Sequence, residues 1–282
     1  MARLPLSPTK IWETWKEAAS TAQSRVGLAV LGDPYLVALA LVELDGVGVV
    51  RVADSAPGAP IDMRLSAGEL GLLLAEPADE DEVLAGITET RSGAGVVVAV
   101  DEGPLASYRV TRPRVGVARV SFSPDPSGWA AVWEALLGLA SGHTVALGRQ
   151  FPTMRQAARR RLVGRTARQN GLVGAAFFIP GTDMAVMTLN QLKMVLALAA
   201  MYDMELTRER ALELLGVVGV GFGFRTLARE VLGFLPGPAW ILKGGIGYTG
   251  TLALGEAAGR YFEVGAPATP SRLVALAKRL KR

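Results

Sequence analysis

Gly32 closes a strand-like apolar run, and the residues that begin with it read G-D-P-Y-L-V-A-L. A phosphate-binding P-loop at this position reads G-x-x-x-x-G-K-[ST]. Its glycines let backbone N–H groups cradle phosphates, its lysine neutralises the terminal phosphate charges, and its hydroxyl ligates magnesium. Here Val37 stands where the second glycine belongs, Ala38 where the lysine belongs and Leu39 where the hydroxyl belongs, while Asp33 adds a negative charge. An ordinary strand–turn–helix accounts for the stretch equally well. Either way the expectation is a turn over Gly32–Leu36 with no room or charge for a phosphate, closed by Val37 and Leu39 packing inward.

Other chemistry is thinly represented. The chain has no cysteine, hence no disulfide, thiolate metal site or thiol nucleophile, and this composition fits a reducing compartment. Its single histidine, His143, excludes any site needing two imidazoles and lies in an SGHT turn that reads as a solvated loop. No G-x-S-x-G elbow accompanies it. The carboxylates from Asp79 to Glu82 read as the solvated first turn of a helix, favourably placed against the helix dipole. No catalytic residue, metal site or cofactor is expected.

Charge is distributed unevenly along the 282 residues, although the net value is only +4. Between Val52 and Glu102 eleven acidic residues stand against Arg64 and Arg91, a local balance of −9. From Ala135 to Thr182 there is no acidic residue, and Arg149, Arg155, Arg159, Arg160, Arg161, Arg165 and Arg168 fall inside that window. A second basic group, Lys278, Arg279, Lys281 and Arg282, follows Arg272 near the C-terminus. Three readings are open for these cations, a solvated charged face, an anionic membrane surface or nucleic acid, and docking against the acidic face of the first domain is a further structural one. The membrane reading takes Phe151, Met154, Ala158 and Leu162 as the apolar side of an interfacial helix. Nucleic acid is disfavoured because no recognisable module or stacking aromatics accompany the charge.

The elements that must position these residues fall into two kinds. A helix runs from Ser7 and Pro8 to about Gln23, with Trp12 and Trp15 on one face. Strands are expected at Val26–Leu31, Val49–Ala53, Ile61–Leu65, Leu70–Ala75, Gly95–Val100 and Val117–Phe122, the second and third paired through the SAPGAP turn. Helices are expected at Tyr35–Leu44, at about 79–89, and from Pro126 through Leu139, whose apolar side carries Trp129, Val132, Trp133, Leu136 and Leu137. Continuous apolar strands alternating with helices predict a mostly parallel, doubly wound α/β sheet buried on both faces. After the SGHT turn only helices follow, at about Pro152–Asn170, Asp183–Met204, 207–235, a run ending near Phe262, and Ser271–Arg282. The composition places two domains at 1–145 and 146–282. The longest apolar runs of the second half reach about half of the ~20 residues that span a bilayer, and no signal peptide is expected.

The strand order resembles that of Era-like members of the Ras-type GTPases over roughly residues 25–140. The segment ARVSFSPDPSGWAAVWEALLGLA, with Ser121, Phe122 and Ser123 at the loop, is similar to that family's closing strand, loop and helix. The family's D-x-x-G has only poor matches, at Asp54–Gly58 or Leu65–Gly68, and its base-reading N-K-x-D falls near VAVDEG, where Asp101 stands without the Asn-Lys. The second half resembles the helical domain of unsettled role found after Era-like GTPases and in YcjF-type membrane-associated bacterial proteins. The residues that carry this likeness are Pro180, Asp183, Gln191, Tyr202, Pro236, Gly237, Thr251, Gly255, Tyr261 and Phe262. Together the resemblances imply a bundle with close glycine-lined contacts and a non-catalytic, nucleotide-free scaffold. It would work through a protein partner or self-association, in the cytoplasm or at the cytoplasmic membrane face. Two alternatives remain open: a divergent GTPase using Asp101, and a small integral membrane protein with re-entrant helices.

Overall fold

Leu, Val, Ala and Gly fill the segments 28–32, 70–75 and 95–100 so completely that no face of them is polar, and such strands are stable only when buried on both sides. The computed structural model describes residues 8–44, 50–52, 69–76, 95–103, 109–114, 116–140, 142–176, 182–204 and 239–264. The chain divides into two compact units, one of residues Thr21–Arg161 and the other of Met1–Ser20 with Leu162–Arg282. The division differs from the compositional boundary at 146, because residues 146–161 group with the sheet and residues 1–20 group with the C-terminal residues.

In the first unit the strands are β1 (Leu28–Gly32), β2 (Val50–Val52), β3 (Leu70–Ala75), β4 (Gly95–Asp101), β5 (Arg109–Arg114) and β6 (Val117–Phe122). They form one sheet in the order β2-β1-β3-β4-β6-β5. All neighbouring pairs are parallel except β5 with β6. With the antiparallel edge strand set aside, the order is that of a doubly wound α/β fold whose direction reverses between β1 and β3. The α/β fold and the following helical region agree with the sequence reading. Two elements are additional: β5, and a short helix at Thr144–Gln150. Strand β2 pairs in parallel with β1, and the partner expected for it through the SAPGAP turn lies outside the described residues. The predicted segments 61–65, 79–89, 207–235 and 271–282 lie outside the described residues.

Registers place Leu28, Val30, Leu72, Leu74, Val97 and Val120 on one sheet face, and Ala29, Leu31, Leu73, Val96, Val98 and Val100 on the other. All of these are at most 3% exposed. Helices α2 (Pro34–Glu43) and α3 (Pro126–Leu139) pack on this sheet. The cap of α3 is Asp125, whose carboxylate accepts from the N–H groups of Ser127 and Gly128 at 2.8 and 2.9 Å. Phe122 meets Trp129 edge-on at 5.1 Å, and Trp129 stacks on Trp133 at 5.4 Å. All five residues predicted for the apolar side of α3 are buried.

The second unit contains most of α1 (Pro8–Gln23), the larger part of α5 (Arg155–Ala176), α6 (Thr182–Met201) and α7 (Ala239–Glu263), the Thr144–Gln150 helix being α4. Its core gathers Val163, Leu192, Val195, Leu196, Leu198, Ala199, Ala258 and Phe262, with Trp15, Tyr202 and Tyr261 against it. Trp12 instead lies 44% exposed beneath the Lys16 ammonium. Asp203, at φ 57°, takes the left-handed position that ends α6. Helices α5 and α7 cross closely through small residues. A Cβ at Gly244 would stand 3.1 Å from the Gly171 carbonyl, one at Gly247 2.7 Å from that of Asn170, and one at Gly255 2.5 Å from a Val163 methyl.

At this crossing lies a buried polar network. Asn170 Nδ2 donates to Thr251 Oγ1 at 2.9 Å and to the Met187 carbonyl at 3.3 Å, while Asn190 donates to Asn170 Oδ1 at 2.9 Å. Gln191 Nε2 also donates to Thr251 Oγ1, at 2.9 Å, and the threonine hydroxyl donates to the Gly247 carbonyl at 2.7 Å.

Candidate functional site

In doubly wound sheets ligands bind outside the carboxyl ends of the strands, where the order reverses. In this chain that place is the end of β1 and β3, and it coincides with the P-loop position. Strand β1 ends at Gly32 and α2 begins at Pro34, so Asp33 alone joins them. A phosphate loop has to wrap several residues around its ligand, and one residue cannot do so.

The donors at this corner are also committed. Asp33 N–H donates to the Leu74 carbonyl at 2.9 Å and thereby extends the β1–β3 ladder past the strand end. Asp33 Oδ1 accepts from Leu36 N–H at 2.9 Å, and the Asp33 carbonyl accepts from Val37 N–H at 2.9 Å. Pro34 has no N–H. Of the first-turn donors that would make an anion site, only that of Tyr35 remains. The aspartate cap, worth about 1 kcal/mol, occupies the ground an anion would need. Gly32 itself has φ 117°, and a Cβ there would fall 1.8 Å from the Leu74 carbonyl oxygen. The glycine that suggested a phosphate loop serves a close strand contact instead.

Val37 packs inward as expected, but Leu39 does not. Leu36, Val37 and Ala40 form the buried face, Leu39 is half-buried, and Ala38 is exposed. A helix advances roughly 100° per residue, so a face centred on Leu36 and Ala40 leaves Leu39 to one side.

The carboxyl ends of β4 and β6 are likewise turned on the protein's own groups. Asp101 Oδ1 accepts from Gly103 N–H at 2.9 Å. Glu102 Oε1 accepts from Arg119 Nη2 at 3.0 Å and from Ser121 Oγ at 2.8 Å, and Arg119 also donates to that serine. Ser123 Oγ donates to Asp125 Oδ2 at 2.8 Å. The Arg119–Ser121–Glu102 cluster escaped the sequence reading. Its signal is the one charged residue inside the apolar strand VARVSF, two positions from Ser121 and so on the same face.

The arginines separate into two groups. Arg155 Nε donates to the Gly148 carbonyl at 3.1 Å, Arg161 Nη2 to that of Gly138 at 3.3 Å, and Arg159 is buried. Arg160, Arg165 and Arg168 are exposed, as is Arg161 despite its contact with Gly138, and Arg168 donates to the Gly164 carbonyl within its own helix. Of the four residues expected on a lipid-facing side, Phe151, Met154 and Ala158 are wholly buried in the protein core and Leu162 is half-buried, which corrects that expectation. An apolar surface already packed in protein has nothing to gain from lipid. Lys278, Arg279, Lys281 and Arg282 lie outside the described residues. Among the described residues no helix is long and apolar enough to cross a membrane.

Residues 146–235 match the family model described as a domain of unknown function, DUF697. The match begins where the composition turns helical and basic, and it covers α4, α5 and α6. No curated protein and no solved structure matches the chain.

Proposed function

We propose that this chain is a non-catalytic, GTPase-like interaction protein, in which a nucleotide-free α/β unit is coupled in one polypeptide to a helical domain of the GTPase-associated type. The observation that carries the reading is the one-residue corner at Asp33. It retains the strand–turn–helix of a P-loop position while the side chain of Asp33 and the Leu74 carbonyl take the donors a phosphate would need. The parallel strand order and the DUF697 match support the two halves separately. The divergent-GTPase alternative rests on Asp101, one of whose oxygens already accepts from Gly103 N–H. Calorimetric titration of the full chain with GTP, GDP and ATP in magnesium should give no saturable heat. Micromolar binding of any of the three would overturn the reading.

A second reading places the protein at an anionic membrane surface, and the exposed Arg160, Arg165 and Arg168 favour it. With Phe151, Met154 and Ala158 buried and Leu162 half-buried, that contact is electrostatic rather than insertive, and it is screened by salt. Full-length protein should co-sediment with vesicles containing an anionic lipid at low ionic strength and be released by high salt. Failure to bind such vesicles removes the membrane from the account.

A further inference from the structure

Helix α2 has the composition of a core element yet shows one face to solvent. From Pro34 to Val42 it carries no charged residue. Its inner face is Leu36, Val37 and Ala40, but Tyr35 and Val42 are 67% and 77% exposed, with Ala38 exposed and Leu39 half-buried between them. These four residues stand at i, i+3, i+4 and i+7, which is one continuous helical stripe. Scattered apolar side chains on a surface need no explanation, whereas a whole uncharged helix face does.

The surroundings of the stripe say what would cover it. Both ends are acidic, with Asp33 before the helix and Glu43 closing it. Glu43 also lines a half-open groove of about 210 Å³ beside α3, together with Trp129, Trp133, Glu134, Gln156 and Arg160. Neither Glu43 nor Glu134 has a hydrogen-bond or ion-pair partner among the described residues. Two carboxylates against one guanidinium leave the groove acidic. A second copy of the chain is a poor occupant, because antiparallel pairing of two α2 helices would bring Glu43 of each towards Asp33 of the other.

We infer that the outer face of α2 and its adjoining groove are a docking surface for an amphipathic helix of a protein partner, one whose apolar face is flanked by lysine or arginine. Tyr35, Leu39 and Val42 are the apolar contacts, Ala38 lets the partner helix approach, and Glu43 with Glu134 receives its basic side chains. Recognition of this kind reads apolar anchors at the same helical spacing on both sides. The inference deepens the interaction reading of the α/β unit, yet the two fail separately. Nucleotide binding would overturn that reading and leave the docking result untouched.

The test uses the full chain and two synthetic helical peptides with one leucine face, flanked by lysines in one and glutamates in the other. Fluorescence anisotropy should show saturable binding of the lysine peptide at least about tenfold tighter than that of the glutamate peptide, a difference of ~1.4 kcal/mol. Val42→Asp should abolish it without lowering the unfolding temperature, since Val42 is largely exposed. Glu43→Lys with Glu134→Lys should reverse the preference to the glutamate peptide. The proposal is overturned if neither peptide binds, if both bind equally, or if Val42→Asp binds undiminished. It is equally overturned if sedimentation shows a dimer of the wild-type chain that Ala38→Asp dissociates, for a second copy then occupies the face.

Discussion

Replacing Gly32 by alanine should destabilise the α/β unit by about 3 kcal/mol or more, the scale of a strained backbone position compounded by a steric clash. The residue sits at φ 117°, where an L side chain is disfavoured, and its added Cβ would stand 1.8 Å from the Leu74 carbonyl oxygen. Relief requires β1 and β3 to separate where Asp33 N–H donates to the same carbonyl. The cost therefore includes a lost ladder bond and exposure of the central strands. Gly103 isolates the conformational share, because its φ is 81° and nothing lies within 4 Å of its built Cβ. Gly103→Ala should cost only about 1 kcal/mol. Hydrogen exchange resolved by segment is the suitable measurement, since two units need not unfold in one transition. Gly32→Ala should reduce amide protection in β1, β3 and β4 by about a hundredfold or more and leave α6 and α7 unchanged. Protection equal to that of Gly103→Ala would show that the strands yield without loss.

This glycine also marks how far sequence reading reached. The absent lysine and hydroxyl were visible in GDPYLVAL, but the shortness of the corner was not, because only the hydrogen bonds fix where β1 ends and α2 begins. Strands β3 and β6 and helix α3 were legible to the residue. Strand β3 is an unbroken apolar run, β6 is apolar but for Arg119 and Ser121, and α3 opens with an Asp125-Pro126 cap. Strand β5 was hidden by its own composition, since RVTRPR holds three arginines and a proline that only an edge strand tolerates. Its charges and its proline also discourage further strands from adding to that side of the sheet.

The arginine-rich segment shows the opposite failure. Phe151, Met154 and Ala158 beside arginines have the same pattern whether the apolar side meets lipid or protein. Periodicity gives the face and not what covers it. The same ambiguity, resolved the other way, exposes the stripe on α2, whose sequence carries no charge from Pro34 to Val42. In both cases the deciding information is tertiary: α5 begins inside a core, whereas α2 lies on a sheet with its far side open.

In the helical unit, Thr251→Val should cost about 3 kcal/mol, although a count of apolar atoms predicts a gain. Valine reproduces the shape of threonine but accepts no hydrogen bond. Thr251 is fully buried, and its hydroxyl is the acceptor for both Asn170 and Gln191 at 2.9 Å. Each amide N–H left without an acceptor costs about 1–3 kcal/mol, against which one methyl group returns about 1 kcal/mol. The Gly247 carbonyl loses a donor as well. Thr251→Ser keeps the hydroxyl and should cost only about 1 kcal/mol, the value of a small buried deletion. The Gly247 and Gly255 contacts admit little rearrangement, because the Asn170 carbonyl and the Val163 side chain of α5 already lie against α7 there. Exchange at the α5, α6 and α7 amides should accordingly separate valine from serine by about thirtyfold. Equal effects would mean that water or a shifted side chain replaces the hydroxyl. A large gap would make Thr251 and Gln191, the latter inside the segment that matches DUF697, ties that hold three helices in register rather than parts of a binding site.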